Sequence, residues 1–243
     1  NQLVLDNVSV SFPHKQITAI LGKSGTGKSV LMKNIIGILE PDAGKIMIEG
    51  TDIVPLPEKQ RRKYRQRLGY LFQDSALFDS MTVEENIAFP LVEVFHMRDN
   101  REIRRIVQEK LDWVQLPEIE KKYPDELSGG MRKRVALARS LAGEPEILLF
   151  DEPTTGLDPV LEENINNLIS RVNQELEMTC IIITHDIVGS FQLADKIAFL
   201  DDAKIQVEGT PEDVADVAHP VLQKFLEYSF TAAHKTMDEM ELI

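Results

Sequence analysis

The sequence predicts an α/β protein with a mainly parallel sheet, an inserted helical subdomain and a C-terminal helical extension. Short apolar runs alternate with segments of helical spacing over much of the 243 residues, which is typical of parallel sheets. Between residues 74 and 143 helical patterns occur without a strong strand pattern, so we expect a helical insertion there. A last helical pattern at 211–230 predicts the C-terminal extension.

The elements of the core follow from local patterns. Residues 3–12 alternate apolar and polar side chains, which indicates one or two strands, and 17–21 is a short apolar run before a glycine, which indicates a buried strand. Helical spacing begins at 28 and runs to 38, with Gly37 near its end. Further strands are expected at 45–49, 68–72, 147–150, 180–184 and 197–200, and further helices at 83–88, 101–114 and 129–142.

Composition restricts the class of protein. The formal net charge of −13 argues against a general nucleic-acid binder, which usually presents a basic face. No apolar stretch reaches the ~18 residues needed to span a bilayer, so we expect membrane association only through a partner. Cys180, the single cysteine, lies in an apolar run, so we expect a buried thiol without an intrachain disulfide. The first residue is Asn1, and we expect native N-terminal residues to precede it or to have been processed.

A glycine-rich run begins at Gly22 and ends at Ser29, between a predicted strand and a predicted helix, as a phosphate-binding P-loop requires. Its glycines let the backbone approach phosphates, and loop N–H groups with the helix N-terminus attract negative charge. Lys28 can reach the β- and γ-phosphates, and the Ser29 hydroxyl can coordinate Mg²⁺. Alone, the motif predicts triphosphate binding and does not separate a GTPase, a kinase or a motor. The candidate nucleotide-binding residues are Gly22, Lys23, Ser24, Gly25, Thr26, Gly27, Lys28, Ser29 and Val30.

Two carboxylates, Asp151 and Glu152, end the apolar run at 147–150. A buried strand would deliver Asp151 to the carboxyl edge of the sheet, where it can hold the hydration shell of Mg²⁺. Glu152 then lies where it can polarise an attacking water. A solvated turn is the alternative for this segment taken alone.

A second glycine-containing turn, Ser128, Gly129 and Gly130, opens a predicted helix. It is either a plain N-cap or a second anion site. With Leu127 before it and Met131 after it, the run resembles the signature sequence of ABC transporter ATPases, usually written L-S-G-G-Q. Met131 replaces the glutamine, which removes a side-chain hydrogen bond and leaves the backbone donors in place.

Other segments resemble the same family. Gln73, at a strand end, is similar to the Q-loop glutamine, Gly156 to Asp158 resembles the D-loop, and His185, after the strand at 180–184, is similar to the switch histidine. The resemblance covers residues 3–209 and implies a P-loop NTPase of the ABC-ATPase fold. We expect three parts: a RecA-like α/β nucleotide-binding core (1–73 and 144–210) with antiparallel strands near the N-terminus, a helical signature subdomain (74–143), and a C-terminal helix and tail (211–243).

The resemblance also implies roles for the candidate residues. The catalytic residues are Glu152 as general base, His185 at the γ-phosphate and Lys28 in charge stabilisation. The other roles implied are Mg²⁺ coordination by Ser29, Gln73 and Asp151, nucleotide contact by Gln73, action in trans by Ser128, Gly129, Gly130 and Met131, and coupling of two sites by Asp158. Members of the family stack an aromatic residue on adenine. Phe12 is better interpreted as core or strand surface, so the stacking residue is expected to precede Asn1.

The resemblance implies ATP and Mg²⁺ as ligands and a head-to-tail dimer in which each ATP lies between the P-loop of one copy and the signature of the other. It implies membrane permease subunits, attachment to the cytoplasmic face of the inner membrane, a possible small accessory subunit, a possible periplasmic or substrate-binding Mce-type protein, and no nucleic acid. We expect the tail after Pro220 to pack on the partner ATPase or on an accessory subunit, with simple disorder as the alternative.

The type of transporter is suggested by the region after the Q-loop. The run from Leu71 to Leu91 and the run from Leu127 to Ala138 resemble the Mla/Mce-type lipid transport ATPases, although the D-loop region of this chain is not a close copy of some of them. Importers of amino acids or osmolytes are the main alternative. An ABC ATPase that acts on DNA or ribosomes is a further alternative. The coiled coils, zinc modules or paired cassettes typical of those proteins do not appear in this sequence.

Overall fold

The computed structural model describes residues 3–227. Its strands are β1 (Ile17–Leu21), β2 (Met47–Ile48), β3 (Thr51–Asp52), β4 (Leu68–Leu71), β5 (Ile147–Asp151), β6 (Thr179–Thr184), β7 (Lys196–Asp201) and β8 (Lys204–Gly209). Its helices are α1 (Lys28–Ile35), α2 (Glu58–Arg65), α3 (Val83–Glu93), α4 (Asn100–Trp113), α5 (Gly129–Leu141), α6 (Pro159–Leu176), α7 (Ile187–Leu193) and α8 (Pro211–Asp216), with a 3₁₀ turn at Pro124–Glu126.

Six strands form one sheet in the order β4-β5-β6-β1-β7-β8, and all neighbours are parallel except β7 and β8. The predicted α/β class with a mainly parallel sheet is therefore confirmed. Every residue of β1 and of β6 is buried, as expected when helices cover both faces of a parallel sheet. Cys180, in β6, is fully buried, and burial raises the pKa of its thiol to about 12.

The hydrophobic core lies on both faces of the sheet. On one face α1 packs on side chains of β1, β5 and β6, including Ile20, Leu149 and Ile183. The other face continues into α3, α4 and α5, which pack on one another and bury Ile87, Leu111 and other apolar residues. These three helices lie within 74–143, where the sequence predicts a helical subdomain. The domain boundaries themselves stay predictions.

The predicted strand at 3–12 is wrong. Val8, Val10 and Phe12 pack against the α1 side of the core, and exposure alternates along 7–12 as in a strand. This segment nevertheless has no strand hydrogen-bond ladder in the part of the chain that the structure describes. Alternating exposure shows only which side chains face the core, whereas a strand also needs hydrogen bonds to the backbone of a neighbouring strand. The antiparallel pairing near the N-terminus is the short hairpin of β2 and β3.

The predicted helix at 211–230 is not continuous. α8 ends at Asp216, residues 217–219 are not helical, and 220–227 is helical. Pro220 disfavours a helical backbone at His219, which explains the break. Leu222 and Leu226 are buried in the chain's own core beside β7, so residues 220–227 pack on their own subunit through these side chains. The expected contact of the tail with a partner stays a prediction. The rest of the predicted tail, 228–243, lies outside the described residues.

No helix within residues 3–227 combines the length and the apolar character needed to cross a bilayer.

Candidate functional site

The P-loop, Asp151, Glu152 and His185 come together because three neighbouring strands end at one edge of the sheet. β1 lies beside β6, which lies beside β5, with Leu21 opposite Thr184 and Asp151 opposite Ile183. The P-loop follows β1, Glu152 follows β5 and His185 follows β6. Parallel strands place their carboxyl ends at the same edge, where α/β proteins bind ligands.

The backbone of the P-loop depends on its glycines. Gly25 and Gly27 have φ values of 82° and 103°, in the left-handed region that disfavours residues with a Cβ. A Cβ on Gly22 would lie 2.4 Å from the carbonyl oxygen of Leu200. Lys28 is the first residue of α1, so the loop ends on the positive end of a helix dipole. Ser24 and Ser29 are exposed on this loop.

Lys28 is directed back over the P-loop. Its Nζ donates hydrogen bonds to the carbonyl oxygens of Gly22 at 2.6 Å and Lys23 at 3.0 Å, and it lies 4.0 Å from Glu152 Oε1. The side chain is only 6% exposed. Burial lowers the pKa of the ammonium, and the nearby Glu152 and Asp151 carboxylates oppose that shift. A charged donor is thus held where phosphate would replace the loop carbonyls as its partner.

Asp151 has one satisfied and one unsatisfied oxygen. The Tyr70 hydroxyl donates to Oδ2 at 3.0 Å, whereas Oδ1 is buried and has no hydrogen-bond partner in the described structure. Burial raises the pKa of this carboxyl, and the Tyr70 hydrogen bond opposes that shift. A buried polar atom without a partner is costly, so Oδ1 is suited to a ligand that brings its own donors, such as hydrated Mg²⁺.

Glu152 accepts three hydrogen bonds from two neighbouring residues. Its φ of 49° places a non-glycine residue in the left-handed region. Its Oε2 accepts hydrogen bonds from His185 Nδ1 at 2.7 Å, from His185 N at 3.3 Å and from Thr155 Oγ1 at 3.1 Å. His185, expected at a γ-phosphate, therefore contacts the proposed base in this structure.

Two other predicted residues serve as helix caps. Ser128 is the N-cap of α5 and its Oγ accepts from Met131 N at 3.3 Å, and Asp158 is the N-cap of α6 and its Oδ1 accepts from Leu161 N at 3.0 Å. Ser128 and Gly129 are exposed, and a Cβ on Gly129 would meet open space. Ser128 therefore caps this helix, and its predicted action in trans stays a prediction. The exposed turn is also free to receive an anion.

Gln73 is connected to this edge through its backbone. It follows β4 and is exposed, and its carbonyl oxygen lies 3.5 Å from Lys133 Nζ. Its predicted contacts with Mg²⁺ and nucleotide are not tested by this geometry and stay predictions.

Sequence reasoning missed several residues that hold the site. Tyr70 supports Asp151 and Thr155 supports Glu152. Lys133 and Arg139 reach from α5 to backbone carbonyls of the Q-loop region, Arg139 to Ser75 and Ala76. The sequence gives little signal for these contacts, because Tyr70 fits a strand pattern and the two basic residues fit a solvated helix face.

A glycine-rich turn before a helix, a buried lysine and two carboxylates on a nearby strand together define a P-loop nucleotide-binding protein. Residues 5–155 match the sequence model of the family described as ABC transporter. This match spans more than half of the chain, and the chain belongs to that family.

Curated relatives carry several different names. The chain is similar to the "Probable ribonucleotide transport ATP-binding protein mkl" of Mycobacterium leprae, with 42% identity over 92% of this chain and 64% of the relative. It is 41% identical to the phospholipid transport ATP-binding protein MlaF of Haemophilus influenzae, over 88% of this chain and 81% of the relative. It is 38% identical to the methionine import protein MetN of Corynebacterium glutamicum, over 98% of this chain and 65% of the relative. The chain thus spans less than two thirds of the Mkl and MetN relatives.

Among solved structures, the fold matches the ATP-binding cassette MJ0796, described as a dimer in a post-hydrolysis state bound to ADP and Pi. The TM-score is 0.78 at 31% identity, over 86% of this chain and 90% of that chain. The ABC-ATPase fold expected from the sequence is confirmed.

Proposed function

We propose that this chain binds and hydrolyses ATP at a site shared between two copies, and that it powers lipid transport through a separate membrane permease. The observation that carries the proposal is the pair formed by buried Lys28 and Glu152, 4.0 Å apart at the ends of neighbouring elements. The pair places a charged phosphate donor beside a general base. Release of phosphate from ATP by the purified chain tests the activity, and no release above background from the assembled dimer would refute it.

Lys28 and the loop amides would bind the β- and γ-phosphates and stabilise charge that develops on them. Mg²⁺ would be held by the Ser29 hydroxyl, by Gln73 and, through its hydration shell, by Asp151. The unpartnered Oδ1 of Asp151 fits that role. The ion would neutralise charge on the phosphate oxygens.

Glu152 would accept a proton from the attacking water. Its Oε2 is occupied by Thr155 and His185, while Oε1 faces Lys28. In the nucleotide-bound site Lys28 would turn to phosphate, which leaves Oε1 for the water. His185, 59% exposed, can reach a γ-phosphate by side-chain rotation.

The signature would act on ATP bound by the other copy. Ser128 and Gly129 are exposed at the start of α5 and Gly130 is buried behind them, so the helix dipole and the N–H groups of this turn would attract an anion. MJ0796, the structural neighbour, is described as dimeric with ADP and Pi, which supports this arrangement. Asp158 would couple the two sites.

Substitution of Ser128 by Arg is expected to lower ATP hydrolysis at least about tenfold, because a long side chain would block the turn from the partner's phosphate. ATP binding to the monomer should be unchanged. Asp99→Arg is the matched control, since Asp99 is the exposed N-cap of α4 in the same subdomain. Equal hydrolysis by the two variants in steady-state phosphate release would contradict the role in trans.

A groove beside β4 is the proposed docking site for a permease helix. Its volume is about 520 Å³, and its lining includes Phe72, Phe78, Phe89 and Arg139. The rings of Phe78 and Phe89 are 4.6 Å apart, and Phe78 is 40% exposed. An exposed apolar groove of this kind is typical of a site that receives an amphipathic helix.

Phe78→Glu is therefore expected to abolish copurification with the permease while the ATPase alone stays folded. A carboxylate in the apolar groove would lose its hydration when the helix docks. Ile38→Glu is the control, because Ile38 is an exposed apolar residue that does not line the groove. Normal recovery of the permease with the Phe78 variant would refute this docking site.

Lipid is the proposed substrate class because the sequence around the Q-loop resembles lipid transport ATPases and MlaF is 41% identical. The similarity to MetN favours an amino-acid importer as the second candidate. Purification of the complex from membranes distinguishes them, since bound phospholipid would support the first and stimulation of the ATPase by an amino acid the second. Attachment to the cytoplasmic face, an accessory subunit and an Mce-type protein belong to the same proposal.

A further inference from the structure

Lys133 is a buried cation within the signature helix. It lies in the second turn of α5, five residues after Ser128, and is 6% exposed. Burial of an ammonium group is costly unless polar groups replace water. Burial lowers the pKa of Lys133, and Asp74, Glu152 and Glu162 oppose that shift by their charge.

Three backbone carbonyls replace water around this ammonium. Its Nζ donates to the carbonyl oxygens of Thr155 at 3.0 Å, Glu152 at 3.4 Å and Gln73 at 3.5 Å. The three acceptors lie in two segments: Glu152 and Thr155 in the turn after β5, and Gln73 in the Q-loop. An ammonium group has three donors, so all of them are used at this junction.

Lys133 contacts both Glu152 and the residue whose hydroxyl supports its carboxylate. Lys133 holds the carbonyl of Glu152, whose backbone is left-handed. It also holds Thr155, whose hydroxyl donates to Glu152 Oε2. A movement of α5 along its axis would therefore pull on the main chain at the proposed base and at Thr155, which supports its carboxylate.

We propose that Lys133 is a positioning residue that couples the signature helix to the catalytic base of its own subunit. This inference rests on the proposed function. Because the signature contacts ATP bound by the other copy, the coupling runs between the two ATP sites. When the signature of this copy closes on the ATP bound by its partner, movement of α5 would position Glu152 and Gln73 at the ATP bound by its own P-loop.

Lys133→Met tests this coupling, since methionine fills much of the volume and removes all three donors. In the full chain, the dissociation constant for Mg-ATP should stay within about threefold of wild type. The maximal hydrolysis rate should fall about 10- to 100-fold, as expected for a displaced catalytic group, and the Hill coefficient for ATP should fall towards 1. Lys133→Gln, which keeps an amide donor, should have an intermediate rate.

Lys110→Met is the matched control, because Lys110 is also 6% exposed in the helical subdomain but pairs with Glu109. It should leave the Hill coefficient unchanged. Failure of the wild-type chain to hydrolyse ATP would refute the proposed function. A wild-type rate and Hill coefficient in Lys133→Met would refute the coupling alone. Thermal melting checks folding, and if the methionine variant does not fold, wild-type behaviour of Lys133→Gln refutes the coupling.

Discussion

Replacement of Glu152 by Gln is expected to lower ATP hydrolysis by about 10²–10⁴-fold, the contribution typical of a positioned base. Glutamine has nearly the same shape and can still accept from His185 and Thr155 at one oxygen. It cannot accept the proton of the attacking water. Steady-state phosphate release measures turnover, and calorimetric titration with Mg-ATP should show retained binding.

Glu144→Gln is the control for this change. Glu144 is exposed and has a φ of 50°, so the same substitution is made on nearly the same left-handed backbone as at Glu152, where φ is 49°. It should hydrolyse ATP as wild type does. Near-normal turnover by the Glu152 variant would show that Glu152 is not the general base.

Lys28→Met is expected to weaken Mg-ATP binding by about 10²-fold, since hydrogen bonds to charged groups contribute about 1.5–3 kcal/mol each. The ammonium is already held at the loop by the carbonyls of Gly22 and Lys23, which phosphate would replace as its partners. Folding should persist, because the substitution removes a buried charge whose pKa burial lowers. Direct titration of the variant measures the dissociation constant.

Lys23→Met provides the comparison within the same loop. Lys23 is exposed, and its contribution to the loop comes from its backbone carbonyl. Its substitution should change the dissociation constant much less than that of Lys28. Similar losses in the two variants would indicate that general positive charge, rather than the Lys28 contact, binds the triphosphate.

Much of the fold follows from local sequence patterns. β1 has the predicted bounds, and β5, β6 and β7 lie within one residue of theirs at either end, because buried parallel strands are uninterrupted apolar runs. β8 escaped prediction because it is an edge strand that alternates exposed and half-buried residues after a short turn. Residues 3–12 show the opposite error, since they have the alternation without a ladder.

The sequence predicts those site residues whose own side chains carry out the chemistry. Lys28, Asp151, Glu152 and His185 converge as the motifs indicate. Side-chain contacts to backbone carbonyls were not predictable, because every residue has a carbonyl and the sequence does not show which one a side chain reaches. Lys133 reads as one more basic residue of a solvated helix until the fold places Gln73, Glu152 and Thr155 around it.

The shared site is tested most directly by mixing two impaired variants, Ser128→Arg and Glu152→Gln. In a head-to-tail dimer, neither homodimer has an intact site, because the Ser128 variant lacks both signatures and the Glu152 variant lacks both bases. The mixed dimer has one intact site, in which the P-loop and base of the Ser128 variant face the signature of the Glu152 variant. Random pairing at equal amounts should therefore restore about a quarter of the wild-type sites, and phosphate release should rise clearly above that of either variant alone. A mixture no more active than the mean of the two variants would contradict a site shared between copies.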